Sequence, residues 1–133
     1  MSAAGASSVQ FDLASAVGQT FPSELSAVTI ETIKTGFFER KLSLAALSGT
    51  YNMIAPDPQA RASGGEALNR LIAWAPLLGT NVITLCTGSR DPGSMWRRHP
   101  DNDSAEAWSD LLVQIEKSIH LAEEYGVTLG VEP

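Results

Sequence analysis

Asn81-Val82-Ile83-Thr84-Leu85-Cys86 is a short, almost wholly apolar run rich in β-branched residues, and it reads as a strand. A strand this apolar is covered on both faces, by helices on each side or by helices outside and a packed barrel interior within. The segments on either side choose the fold class. Upstream, Leu68, Leu71, Ile72, Ala75 and Leu78 recur at helical spacing, predicting a helix over 66–78 that stops at Gly79. Downstream, the loop Thr87 to Asp103 leads into a helix that runs to Tyr125 and stops at Gly126. Asp103 is the expected N-cap, with Glu106 reaching back to it. Trp108, Leu111, Leu112, Ile115, Ile119 and Ala122 are expected along the buried stripe of this helix.

Further out the same alternation repeats. Val9-Gln10-Phe11-Asp12-Leu13 reads as a strand, followed by a helix over 23–40 with Leu25, Val28, Ile33 and Phe37 on one face. Leu42 to Leu47 is the next strand and Val127 to Val131 the last. Between Ser48 and the helix at 66, Pro56, Pro58, Gly64 and Gly65 predict a long irregular connection. Strands alternating with long helices specify βαβ units and a parallel sheet. The expectation is an α/β fold of about four consecutive parallel strands with three long helices, forming one domain over 1–133 behind a flexible stretch at 1–8.

Composition narrows the functional classes. The 133 residues are 44% hydrophobic and 18% charged, which is globular and too apolar for a disordered chain. With a net charge of −6 and only nine Lys and Arg, the chain is unsuited to nucleic acid, whose phosphates select clustered cations. Cys86 is the sole cysteine, so no internal disulfide forms and a reducing compartment, the cytoplasm, is expected. The first residues carry no positive charge before Lys34 and do not read as a secretory signal, and no apolar run is long enough to span a membrane.

In parallel α/β folds the crossovers place every βα loop on one rim, at the C-terminal ends of the strands. Ser48 to Asp57, Thr87 to Asp103 and Glu132-Pro133 fall on that rim. They offer Tyr51, Asn52, Thr87, Arg90, Trp96 and His99 as candidate substrate contacts, a mixture of hydrogen-bonding and aromatic groups that suits a polyol. Arg90, Arg97 and Arg98 can grip a phosphate or carboxylate in bidentate fashion, or pair with Asp91, Asp101 and Asp103 in solvent. Trp74 and Trp108 fall within helices and are expected to pack; His120, near Glu116 and Glu124, has no catalytic implication.

The strings Ser48-Gly49-Thr50-Tyr51-Asn52-Met53, Ile83 through Pro92, Met95-Trp96-Arg97 with His99-Pro100-Asp101-Asn102, and Val131-Glu132-Pro133 resemble the sugar phosphate isomerase/epimerase group of the xylose-isomerase-like TIM barrels, over roughly residues 9 to 133. The resemblance implies that the strands correspond to the second to fifth of a (β/α)8 barrel. It further implies a divalent metal, Mn²⁺ or Mg²⁺, held at the rim by carboxylates and a histidine. Glu132 matches the first metal-ligating glutamate, which also serves as acid/base at the substrate carbon, making it both the catalytic and the metal-binding candidate. Ala55 stands where close relatives are expected to carry a histidine. The implied chemistry is metal-assisted proton transfer next to the carbonyl of a sugar or sugar phosphate. One carboxylate falls short of the roughly six oxygens such ions take, so an incomplete site is expected.

Four staves of a closed barrel leave two open edges, which predicts a homo-oligomer that covers them. The alternative is a small flavodoxin-like α/β binding module without catalysis. Length favours it, while the lack of any Gly-rich phosphate loop opposes it. Strand order separates the two: sequential neighbours mean a barrel piece, a switch point means the module. An endonuclease-IV-like phosphodiesterase shares the barrel ancestry, but the acidic balance and the single rim histidine disfavour it.

Overall fold

Neighbours in sequence are neighbours in the sheet. The computed structural model describes residues 5–132, in which β1 (Ser8–Phe11), β2 (Ser43–Ser48), β3 (Val82–Cys86) and β4 (Thr128–Glu132) are all parallel and lie in the order β1-β2-β3-β4. There is no switch point, so the flavodoxin-like arrangement falls and the sheet is a run of consecutive barrel staves, a partial TIM barrel. A four-residue α1 (Ala14–Val17) follows β1; the three long helices are α2 (Ala27–Glu39), α3 (Pro58–Leu78) and α4 (Ala105–Tyr125). Of the stretch at 1–8 expected to be flexible, residues 1–4 lie outside the described residues, Ser7 accepts from the Ser43 backbone and Ser8 is paired in β1. No helix among the described residues is long and apolar enough to cross a membrane.

The sheet has one apolar and one polar face. Phe11, Leu47, Ile83, Leu85 and Leu129 point into the core beneath the helices, so alternation turns Gln10, Ser48, Thr84, Cys86, Gly130 and Glu132 to the other face, the side that lines a barrel. Gln10 Nε2 donates to Thr84 Oγ1 at 2.7 Å across β2, where small Ala46 leaves room. The register slips by one residue between Val9 and Gln10, and this bulge lets both Leu44 and Leu47 reach the core side. The carbonyl of Ala45, the extra residue, accepts from Thr80 Oγ1 at 3.0 Å.

α3 begins eight residues earlier than its apolar pattern predicts. Asp57 caps it by accepting from Gln59 N at 2.9 Å, and Pro58 occupies the first turn, where a missing N–H costs nothing. Gly64 and Gly65 therefore lie inside a helix. Gly64 is required by a close approach, because a Cβ there would run into the ring of Tyr51. Leu68, Leu71, Ile72, Ala75 and Leu78 are all buried, as the spacing predicts.

The other two stripes differ from expectation. On α2 the buried pair is Ile30 and Ile33, with Phe37 half-buried against Phe11, whereas Val28 is 76% exposed and Leu25 precedes the helix. On α4 the N-cap is Ser104, which accepts from Ala107 N at 3.1 Å, while Asp103 ends a 3₁₀ turn over Pro100–Asp103 and pairs with Arg98. The buried line along α4 is Ala107, Leu111, Gln114, Ser118 and Ala122; Trp108, Leu112 and Ile119 are exposed. Small and polar residues dominate this line because α4 packs closely on α3. Tyr51 donates to Gln114 at 3.1 Å and Ser118 to Asn69 at 2.9 Å between the layers. Among the exposed apolar residues, Val28 lies on α2, and Ile119 with Val131 borders a groove beside β4. In a closed barrel the edges of the sheet are covered by the adjoining βα units.

Candidate functional site

At the rim, β3 and β4 end side by side, with Cys86 in register with Glu132 on the barrel-lining face. Glu132 is exposed there. Cys86 is buried and its Sγ reaches the Tyr51 carbonyl at 3.8 Å. Burial pushes the thiol up from its ordinary range, and the nearby Glu132 charge adds to this against an opposing hydrogen bond from Gly88. Cys86 is thus a buried thiol in register with the carboxylate.

The loops after β2 and β3 are locked together. Asn52 Nδ2 donates to the Ser89 carbonyl at 2.8 Å, and its Oδ1 accepts from Ser89 N at 2.9 Å. Gly88 holds φ +86°, and a Cβ there would overlap the Asn52 side chain, so only glycine fits between them. Ser89 is fully buried; its hydroxyl donates to the Arg97 carbonyl, and Asn102 Oδ1 accepts from Arg90 N at 2.7 Å. Asp91 turns the loop by accepting from Gly93 N and Ser94 N at 2.8 and 2.9 Å. The Gly93 bond heads the causes that hold its carboxyl below the usual carboxylate range, with Arg97 helping.

The seven candidate residues separate into different environments. Glu132 and Thr87 stand at the strand ends, Thr87 half-buried and directly following Cys86. Asn52 lies between the loops and is engaged with Ser89. Tyr51 is buried toward the helices, its hydroxyl spent on Gln114, and burial pushes its pKa up to about 12. Trp96 is 73% exposed near the tip of the β3 loop. Arg90 and His99 line another cleft altogether, with Arg61 and Asp110, and neither Glu132 nor Thr87 borders it. Arg90 Nη2 pairs with Asp110 at 2.6 Å, and His99 Nδ1 accepts from Asp101 N at 3.2 Å. Arg61 and Asp110 escaped the sequence reading because each looks like an ordinary surface charge on a helix; only tertiary packing brings them to Arg90.

A metal does not fit these residues by themselves. Among the described residues no group of three or more His, Cys, Asp and Glu stands close enough to hold an ion. Glu132 is one donor, and a six-oxygen site needs others.

The whole chain, residues 1–133, matches the sequence profile of the xylose isomerase-like TIM barrel. The chain belongs to this family. Solved structures share its fold. A D-tagatose 3-epimerase-like protein superposes with a TM-score of 0.62 at 16% identity, over 80% of this chain and 38% of that one. The 3-keto-D-glucoside 4-epimerase YcjR from E. coli gives 0.63 at 18% identity, over 80% of this chain and 41% of that one. A xylose isomerase-like TIM barrel protein from Mycobacterium smegmatis, in complex with magnesium, gives 0.59 at 18% identity, over 80% and 37%. The chain therefore spans about two-fifths of the length of these members of the fold. Among curated proteins no sequence match is found.

Proposed function

We propose that these residues form one partial-barrel domain of a sugar or sugar phosphate isomerase or epimerase, in which Glu132 exchanges a proton with the carbon next to the substrate carbonyl. The observation that carries this reading is the position of Glu132: exposed, at the C-terminal end of β4, on the barrel-lining face of a sheet in sequential parallel order. A carboxylate so placed can reach a substrate seated over the strand ends and act as general base and then acid. The epimerase names of two of the structural relatives support a sugar as substrate. Thr87 and Trp96 are the substrate contacts this reading favours, Thr87 directly following Cys86, the register partner of Glu132, and Trp96 as an exposed ring for a sugar face. Asn52 and Tyr51 act by shaping the rim.

The second proton-transfer group and the remaining metal ligands would come from βα units outside residues 5–132. When bound, Mn²⁺ or Mg²⁺ would supply polarisation of the carbonyl oxygen. Glu132 is the one residue here that would touch it. The lone buried Cys86 suits a reducing compartment, the cytoplasm.

The test is deuterium wash-in. The chain is combined with the missing βα units of a family member, saturated with Mn²⁺, and incubated in D₂O with ketoses and their phosphates. Exchange at the carbon adjacent to the carbonyl, lost in Glu132→Gln, is the expected result. A completed, metal-loaded barrel that exchanges equally well with Glu132→Gln would sink the assignment.

A further inference from the structure

The cleft that takes Arg90 away from Glu132 has chemistry of its own. It is open, about 580 Å³ in volume, and its floor holds two guanidinium groups, Arg61 and Arg90, whose side chains are only 13% and 12% exposed. Both share one acid. Asp110 Oδ1 meets Arg61 Nη2 at 3.2 Å and Asp110 Oδ2 meets Arg90 Nη2 at 2.6 Å, and no other carboxylate among the described residues lies within 4.0 Å of either guanidinium. The floor therefore carries one excess positive charge in a largely desolvated place, where an uncompensated ion is costly.

The donors are also in excess. The Ala55 carbonyl accepts from Nη1 of both arginines and the Pro56 carbonyl from Arg61, which leaves both Nε–H groups without an acceptor among the described residues. Neither is sealed in, since the single buried side-chain nitrogen or oxygen lacking a partner among the described residues is Arg70 Nε. Those donors meet solvent. His99 also lines the cleft, its ring fixed by Nδ1 accepting from Asp101 N. Ser104, the N-cap of α4, and Glu106 in its first turn line the cleft, and the helix dipole adds positive potential there. Asp101 and Glu106 also line the cleft, bringing the full lining to three carboxylates against two guanidiniums, but both are solvent-exposed, where their charge is screened.

We propose that this cleft is a phosphate-binding site, with Arg61 and Arg90 as the fork held in position by Asp110. Guanidinium pairs match tetrahedral oxyanions in geometry as well as charge. The cleft lies between the rim loops and the start of α4, includes neither Glu132 nor Thr87, and does not depend on the isomerase reading.

Inorganic phosphate and a pentose phosphate are titrated into the purified chain at constant ionic strength, with chloride as control, by calorimetry and by following the arginine Nε–H resonances. Either phosphate is expected to shift the Arg61 and Arg90 signals while chloride does not; tighter binding of the ester marks a phosphorylated metabolite and equal binding marks free phosphate. Arg61→Gln or Arg90→Gln should weaken binding about tenfold or more, whereas Arg97→Gln on the exposed loop should not. Asp110→Asn separates a binding site from a mere structural staple: with the bridging charge gone, phosphate should take its place between the two guanidiniums and restore the variant's lost thermal stability. Unchanged Arg61 and Arg90 signals in the parent chain at millimolar phosphate would overturn the proposal whether or not the variants fold, as would an Asp110→Asn protein that phosphate does not rescue.

Discussion

Asn52 holds the backbone of Ser89 by both ends of its amide, accepting from the N–H at 2.9 Å and donating to the carbonyl at 2.8 Å. Two rim loops from different βα units thereby move as one. Asn52→Ala strips partners from both groups of a buried residue and should cost about 2 kcal/mol in denaturant unfolding. Asn52→Asp keeps the acceptor, loses the donor and sets a carboxylate against a carbonyl, so it should not recover the loss. Faster amide exchange at Ser89 and Arg90 is expected in both. Parental stability in Asn52→Asp would show that the amide is not the link.

Gly64 and Tyr51 make a sign test. In an exposed helix Gly→Ala gains about 1 kcal/mol, but here the new methyl collides with a buried ring, and overpacking costs about 1–3 kcal/mol. Gly64→Ala should therefore destabilise the parent chain, yet stabilise a Tyr51→Ala background. A stabilising effect in both would mean that the ring moves aside freely.

Tyr51 gives the chain an alkaline limit. Its folded-state pKa, raised by burial to about 12, lies above the unfolded value near 10. Its contribution is then complete below pH about 10 and is lost as the pH rises toward 12, because the unfolded chain releases the phenolic proton first. Stability measured by denaturant across that interval should fall, and Tyr51→Phe should flatten the decline at the cost of the Gln114 hydrogen bond.

The outer strands should drive association. Among the described residues β1 and β4 each lack a neighbour on one side, and Ile119 and Val131 are exposed in the groove beside β4. The purified 133-residue chain should sediment as a dimer or larger at micromolar concentration. Val131→Lys, on the β4 flank, should shift it toward monomer. A dilute, sharply monomeric boundary for the unmodified chain would remove the case for self-association.

Some of this was open to reading along the chain. The apolar run ending at Cys86 and the five-residue stripe from Leu68 to Leu78 had to become a strand and a helix, since local periodicity alone decides which face is apolar. The rim position of Glu132 followed from strand direction. What could not be read was the neighbourhood of each helix. The α4 stripe ran through Gln114 and Ser118 instead of Trp108 and Ile119 because α3 sits against the polar side and the flank toward the sheet edge is bare. Likewise Gly64 reads along the chain as a loop residue, whereas in the fold it is the helical position over which the Tyr51 ring lies.

The sequence by itself determined the alternation of strands and helices, the polarity of the rim and the placement of a carboxylate at a strand end, because each depends on spacing over a few residues. Tertiary structure alone decided that the strands lie in sequential order, that Tyr51 turns inward, and that the Arg90 side chain shares Asp110 with Arg61 in a cleft that excludes Glu132. Those outcomes are set by which surfaces meet across 20 to 63 residues of chain, where long-range packing and charge pairing outweigh any local preference.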